Sequence, residues 1–337
     1  MSFRATRLLF SLVLLLPVLA GAASVPKPPQ VKASAYVLVD AASGQTIVEH
    51  NADQPMPPAS LTKMMTVYVT AEELKSGDVS LDDPVPISVN AWEMGGSRMF
   101  VREGTRVELR KLLRGIMIQS GNDASVAVAE HVAGSEDAFA DLMNHQADEL
   151  GMNNTHFVNA TGWPTEDHYA SARDLAILAR AIIRNHPETY ELYSQKSYTY
   201  NGIKQNNRNM LLWRDPSVDG LKTGHTEEAG YCLVSSAERD GQRWIAVVMG
   251  TESEEARARE SMKLLTYGFR FFDTYEAYKA GEELTRERIW MGTADELPLG
   301  SPDDLVVTIP EDSHDQLKAE MTVDQDIRAP VRKGERY

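Results

Sequence analysis

Three short motifs fall in order along the chain: Ser60-Leu61-Thr62-Lys63, Ser120-Gly121-Asn122 and Lys222-Thr223-Gly224. Each sets hydroxyl, amine or amide side chains within three positions of one another. They can act together only if segments from the first, middle and last thirds of the chain meet at one cleft, and that demand constrains the fold more than any other feature of the sequence. None is specific alone, because short patterns recur by chance. Ser24-Val25-Pro26-Lys27 repeats the first spacing, Ser88-Val89-Asn90 the second, and Lys75-Ser76-Gly77 and Lys279-Ala280-Gly281 the third.

Context separates the copies. Ser24 lies among Pro26, Pro28 and Pro29, where no helix can hold a lysine over the serine. Lys75 and Lys279 each end a helical pattern, so their glycines read as C-caps. Ser88 follows Pro84 and Pro86 in an extended stretch. Ser60 instead opens a helix over residues 60–74, with Leu61, Met64, Met65, Tyr68 and Leu74 as its apolar face.

The N-terminal residues 1–22 read as a secretory signal: Arg4 and Arg7, an apolar run over 8–19, and the small-residue stretch Ala20-Gly21-Ala22. The run is shorter than the roughly 20 residues a transmembrane helix needs. Export to a bacterial periplasm follows. Residues 23–33 form a leader linker. Cys232 is the single cysteine, so no intramolecular disulfide can form, and its strand-like surroundings point to a buried structural thiol.

Two β-rich runs, 35–40 and 45–49, form a hairpin around a glycine-containing loop. Helical periods occupy 107–118, 123–132, 136–150 and 171–185. Strands return at 218–224, then at 230–238 and 242–250 about the Asp240-Gly241 turn, before a last helix over 254–272. Strands at both ends with helices between them predict an α+β domain over 34–275: an antiparallel sheet, joined by N- and C-terminal strands and flanked by helices. Short strand-like runs near 283–285, 288–291, 305–309 and 321–323 predict a small all-β domain over 281–337. It looks incomplete, since a further strand begins near Val331.

The chemistry is that of a serine nucleophile with a lysine base. Serine needs a base to take its proton. Lys63, three residues on, shares its helical face and can reach the hydroxyl. A lysine serves as base only when partly neutral, through burial or a second cation, and Lys222 can supply that charge if the motifs converge. The helix N-terminus offers backbone N–H groups to a developing oxyanion. Ser120 could relay a proton to a leaving amine and Asn122 hold a substrate carbonyl; a plain capping turn is the competing reading. Lys222 and Thr223 would face a substrate carboxylate, and Gly224 lets a ligand approach the backbone; a surface strand with a solvated lysine competes. No H-E-x-x-H and no paired cysteines support a metal, and no cofactor is implied. A formal charge of −15 repels nucleic acid and anionic lipid.

With these residues in hand, the chain resembles the serine D-Ala-D-Ala carboxypeptidases of the penicillin-binding protein 5 and 6 type. The likeness covers most of residues 31–330. It is close in 58–63, 114–122, 207–212, 218–226 and 264–272, with Ser-Gly-Asn as the middle motif. The resemblance implies that Ser60 is acylated, Lys63 is the base, and Ser120, Asn122, Lys222 and Thr223 complete the motifs. It implies an oxyanion hole from the backbone N–H of Ser60 and His225, and Arg208 and Arg257 near the terminal carboxylate. The implied partners are peptidoglycan pentapeptides ending in D-Ala-D-Ala and β-lactams as covalent inhibitors, with a role in cell-wall remodelling and cell shape. The resemblance also implies a C-terminal amphipathic helix that holds the enzyme on the outer face of the inner membrane; the sequence stops before any such helix, so that attachment is expected only if an anchor lies beyond it. The runner-up readings are a class A-like β-lactamase, with Glu166 or Asp167 in the 162–169 loop serving deacylation, and a slow-turnover peptidoglycan-binding scaffold.

Overall fold

The computed structural model describes residues 25–323 and 327–332. The expected signal segment 1–22, and most of the strand expected from Val331, lie outside them. At the centre is a five-stranded sheet in the order Thr46–His50, Ala35–Asp40, Gln242–Thr251, Gly230–Arg239, Val218–Thr226. Every neighbouring pair is antiparallel. The N-terminal hairpin thus docks beside the C-terminal one, with Leu38 opposite Ala246.

Strand periodicity builds two cores from this one sheet. Val37, Val39, Val234, Ile245 and Val247 face the large helical layer. Leu38, Leu233, Trp244, Ala246 and Val248 face Leu264 and Leu265 of the last helix, Glu254–Phe271. The helical layer contains Lys63–Ser76, Leu109–Gln119, Asn122–Ala133, Glu136–Leu150 and Ala172–Asn185. Ser135, Ser171 and Ser253 each cap a helix by accepting a backbone N–H three residues on.

Two boundaries differ from the sequence reading. Residues 107–118 do not form one helix: Arg106–Glu108 is a short strand paired with Pro84–Pro86, and the helix begins at Leu109. The last helix stops at Phe271, and Phe272–Tyr278 pairs antiparallel with Leu305–Pro310, across the boundary expected near 275–281. No glycine or proline marks that switch, and Phe272 is held edge-on against Trp244 at 6.3 Å. The β unit adds a three-stranded sheet of Glu296–Leu299, Thr285–Trp290 and Ile327–Arg328. Residues 321–323 form no strand. Buried Asp40 ties the two units together, accepting hydrogen bonds from Thr274 Oγ1 (2.5 Å) and Thr308 Oγ1 (3.0 Å). Among the described residues no helix is long and apolar enough to cross a membrane.

Candidate active site

Ser60 sits in the 3-10 turn Ala59–Thr62, which runs directly into the helix opened by Lys63. One turn separates the two residues, and the Lys63 Nζ lies 3.0 Å from the Ser60 Oγ. The same amine donates to the Thr161 carbonyl at 2.5 Å. Lys63 is completely enclosed. Burial, and secondarily the Arg208 guanidinium, bring its pKa down to about 7, with Asp123 and Glu136 pulling the other way. The second cation acting on Lys63 is therefore Arg208. Lys222, expected in that role, is itself held well below the ordinary lysine value, by burial and then by the charge of Lys63.

The second motif joins two helices. Ser120 ends Leu109–Gln119 in the left-handed conformation (φ 62°), and Asn122 opens the next helix. The capping geometry is real, but it also aims the hydroxyl inward: Ser120 Oγ accepts from Lys222 Nζ at 2.9 Å. Asn122 Nδ2 donates to the Gly95 carbonyl at 2.8 Å, which commits one of its two amide hydrogens.

The third motif lies on the edge strand Val218–Thr226. Lys222 is 2% exposed, so it is no solvated surface lysine. Gly224 is required by protein packing: a Cβ there would sit 3.0 Å from the Pro58 carbonyl and 3.3 Å from Ala59 Cβ. The close approach it permits is that of the Ser60 turn itself. His225 is exposed and stacks on Tyr231, ring centroids 4.0 Å apart.

A cavity of about 310 Å³ is lined by Ser60, Ser97, Ser120, Thr223, His225 and Arg257, with Gly96, Arg208, Gly224 and Glu254 completing its wall. Arg208 donates to Ser97 Oγ at 2.7 Å. Arg257 is 2% exposed and donates to the carbonyls of Gly224 (3.3 Å) and Arg208 (3.4 Å), with Glu254 a loose 3.6 Å partner. It is thus no surface ion pair, and Glu260 is taken instead by Arg259 and Lys263. Glu166 and Asp167 line a separate recess together with Pro58 and Gly162, and neither lines the Ser60 cavity. Cys232 is buried, its thiol pushed up to about 11 by burial, which fits a structural role.

Several supporting residues were not found from sequence. The buried Asp123 carboxylate accepts N–H bonds from Met99, Phe100 and Val101, fixing the loop that carries Gly96 and Ser97. Its position in the first turn of a helix after Ser-Gly-Asn was the available signal. Asn159 Oδ1 accepts from the N–H groups of Thr161, Gly162 and Trp163, shaping the loop whose carbonyl receives Lys63. Glu136 accepts from Ala160 N–H at 3.0 Å, and burial raises its pKa.

A serine held by a lysine that titrates near neutrality, beside a second buried lysine on a sheet edge, defines a serine acyl-transfer enzyme. Comparison with known proteins narrows the class. Residues 22–253 match the D-alanyl-D-alanine carboxypeptidase family, and residues 272–337 match the penicillin-binding protein 5 C-terminal domain. The chain is 44% identical over 319 residues to the D-alanyl-D-alanine carboxypeptidase DacA of Escherichia coli K12, covering 92% of this chain and 79% of that protein. DacC of the same strain is 42% identical over 332 residues, covering 96% and 83%. The crystal structure of penicillin-binding protein 5 from Haemophilus influenzae matches with a TM-score of 0.89 at 43% identity over 92% of each chain. Penicillin-binding protein D2 from Listeria monocytogenes, in its ampicillin-bound form, matches at 0.67 and 31% identity, covering 73% of this chain and 100% of that one. The chain belongs to the D-alanyl-D-alanine carboxypeptidase family.

Proposed function

We propose that this penicillin-binding D-alanyl-D-alanine carboxypeptidase trims peptidoglycan pentapeptides through an acyl-enzyme on Ser60. Lys63 takes the Ser60 proton as Oγ attacks the carbonyl carbon of the penultimate D-alanine. The oxyanion is met by the backbone N–H groups of Ser60 and His225. As the C–N bond breaks, the proton that Lys63 took passes to the terminal D-alanine amine by way of the Ser120 hydroxyl, which Lys222 holds in place. Asn122 holds the acyl-side amide, while Thr223, Arg208 and Arg257 receive the terminal carboxylate. Water then hydrolyses the ester and restores Ser60.

The observation that carries this reading is the 3.0 Å contact between Ser60 Oγ and a completely buried Lys63 with a pKa of about 7. At neutral pH about half of such lysines are free to act as base. The periplasm, facing the peptidoglycan, is where we place the enzyme. The β-lactamase alternative is not favoured, because Glu166 and Asp167 stand outside the cavity. The test is direct. Wild-type protein should release D-alanine from a D-Ala-D-Ala peptide, and penicillin should leave a covalent adduct in its intact mass. Ser60→Ala should show neither; an adduct persisting in that variant would overturn the assignment.

A further inference from the structure

The nucleophile turn is a strained piece of backbone. Ala59, directly before Ser60, sits at φ 48°, which a residue with a Cβ keeps only where its surroundings hold it. Two of the holds are close packing. A Cβ on Gly162 would stand 1.8 Å from the Ala59 carbonyl, and one on Gly224 3.3 Å from Ala59 Cβ. The third is polar and comes from His168, a buried residue that the acyl-transfer steps above do not use. Its Nδ1 meets the backbone N–H of Val158 at 3.0 Å, and its Nε2 meets Thr62 Oγ1 at 2.8 Å. A backbone N–H can only donate, so Nδ1 holds the lone pair, Nε2 holds the proton, and Thr62 Oγ1 accepts. Burial, and then the charges of His156 and Lys63, hold the imidazole pKa down at about 4, which keeps the ring in this neutral form.

The two segments that the ring joins are those that place the reacting groups. Thr62 is the last residue of the turn and stands between Ser60 and Lys63. Val158 begins a run that lies along the helix opened by Lys63. There the Ala160 carbonyl accepts from Thr66 Oγ1 at 2.7 Å, and the Thr161 carbonyl from Lys63 Nζ at 2.5 Å. His168 closes the far end of the same loop, beside His156 and Tyr169, which exchange backbone hydrogen bonds at 2.9 and 3.0 Å. Phe157 packs edge-on against its ring. His168 lines the recess shared with Pro58 and Gly162 and not the Ser60 cavity, and its one lone pair is taken by Val158. It is therefore placed neither to touch substrate nor to act as a base.

We infer that His168 is a positioning residue for acylation: a strut between Thr62 and Val158 that holds the strained turn against the loop, so that the Ser60 hydroxyl and the Thr161 carbonyl meet the Lys63 amine together. This rests on the carboxypeptidase reading above. The amine must face a hydroxyl from one segment and a carbonyl from the other. A relative shift of about 1 Å between the segments spoils that alignment, on the order of a hundredfold in rate. Arg208, Arg257 and Thr223 on the cavity wall make no contact with the strut. Loss of the strut is therefore a loss of rate and not of affinity.

The test measures the rate of penicillin acylation and the release of D-alanine from a D-Ala-D-Ala peptide for wild type, His168→Gln, His168→Leu and Thr62→Val. Equilibrium binding of the peptide is measured for each in the Ser60→Ala background. Glutamine can repeat both bonds, Oε1 accepting from Val158 and Nε2 donating to Thr62, whereas leucine fills the space with neither. His168→Leu should slow acylation about a hundredfold, and Thr62→Val, which keeps the side-chain shape and removes only the acceptor, about tenfold or more. His168→Gln should keep most of the wild-type rate, and peptide affinity should stay within about twofold throughout. The two losses should not add in the double variant, because both cut one strut. Thr62→Val decides the matter even if the leucine variant fails to fold. Acylation by Thr62→Val at the wild-type rate, a glutamine variant no faster than Thr62→Val, or affinity lost in step with rate would overturn the strut. A wild type that is acylated but releases no D-alanine would refute the carboxypeptidase reading alone, since the acylation ratios still decide the strut.

Discussion

Replacing Lys63 with methionine should abolish acylation and, at neutral pH, stabilise the fold. The Lys63 amine is completely enclosed, and burial is the chief reason it titrates at about 7 instead of 10.5. In the unfolded chain the same amine keeps its ordinary value and is protonated at pH 7. Between the two values the unfolded chain holds more protons, so stability rises with pH there by about 1.4 kcal/mol per pH unit. The penalty is absent above pH 10.5, grows as the pH falls, and reaches about 5 kcal/mol near and below pH 7. Methionine fills similar space without charge and removes that penalty. It also strips the Thr161 carbonyl of its donor, which costs about 1–3 kcal/mol. The net gain at pH 7 is about 2–4 kcal/mol. Relief of Lys222, which the charge of Lys63 pushes further down, acts in the same direction.

Urea unfolding of both proteins at pH 7 and pH 9, followed by circular dichroism, gives the comparison. The variant should have the higher midpoint at pH 7. The gap should then close by roughly 2 kcal/mol at pH 9, as the wild type gains stability. A pH-independent difference, or a variant less stable at pH 7, would refute the account of Lys63 as a buried and destabilising base.

The rate of penicillin acylation should rise with pH about a midpoint near 7, and Arg208→Ala should move that midpoint upward, since Arg208 is one of the groups holding Lys63 down. A stopped-flow pH series checks both. Arg257→Ala should lose activity on D-Ala-D-Ala peptides far more than on an ester or thioester analogue without a terminal carboxylate; equal losses would rule out carboxylate recognition by this side chain. Asp40→Ala removes an acceptor shared by Thr274 and Thr308 and should expose the region around 272–280 to limited proteolysis without a loss of D-alanine release.

What the sequence disclosed follows physical lines. The Asp240-Gly241 hairpin and the helix over 136–150 were legible because turn chemistry and a sustained helical period are local properties. The three motifs were legible only through their surroundings, and their convergence now rests on the 2.9 Å Lys222–Ser120 contact and on the one cavity that Ser60, Ser120 and Thr223 line together. The carbonyl of Thr161 was invisible, because every residue has one and only the fold selects which meets a lysine. Gly224 was read as a place of close approach by a ligand, and the structure adds a second close neighbour, the Pro58–Ala59 backbone, since a glycine reports the need for space and not what fills it. Asp123 was hidden among 49 acidic residues, and what distinguishes it is three backbone N–H groups from a loop more than twenty positions away.

The charge arrangement leads to one more expectation. In a chain of formal charge −15, Arg208 and Arg257 line the cavity, Lys63 and Lys222 are bonded to the Ser60 and Ser120 that line it, and Glu254 is the one acid on its wall among the described residues. Burial first, and then repulsion from these cations (Arg208 acting on Lys63; Lys63, Arg208 and Arg257 acting on Lys222), lowers the proton affinity of the lysines, and the same field draws a carboxylate into the site. A substrate carboxylate bound near Arg208 and Arg257 then offsets part of that field. Lys63 becomes a stronger base when the substrate is in place, so docking and proton transfer are coupled through a single set of charges. The free enzyme titrates in kcat/KM and the substrate complex in kcat. The acidic limb of the kcat profile should therefore lie at higher pH than that of kcat/KM. With a substrate lacking the terminal carboxylate the two limbs should coincide. Profiles that coincide for the carboxylate substrate would show that the bound anion does not reach Lys63 electrostatically, and the coupling would have to be abandoned.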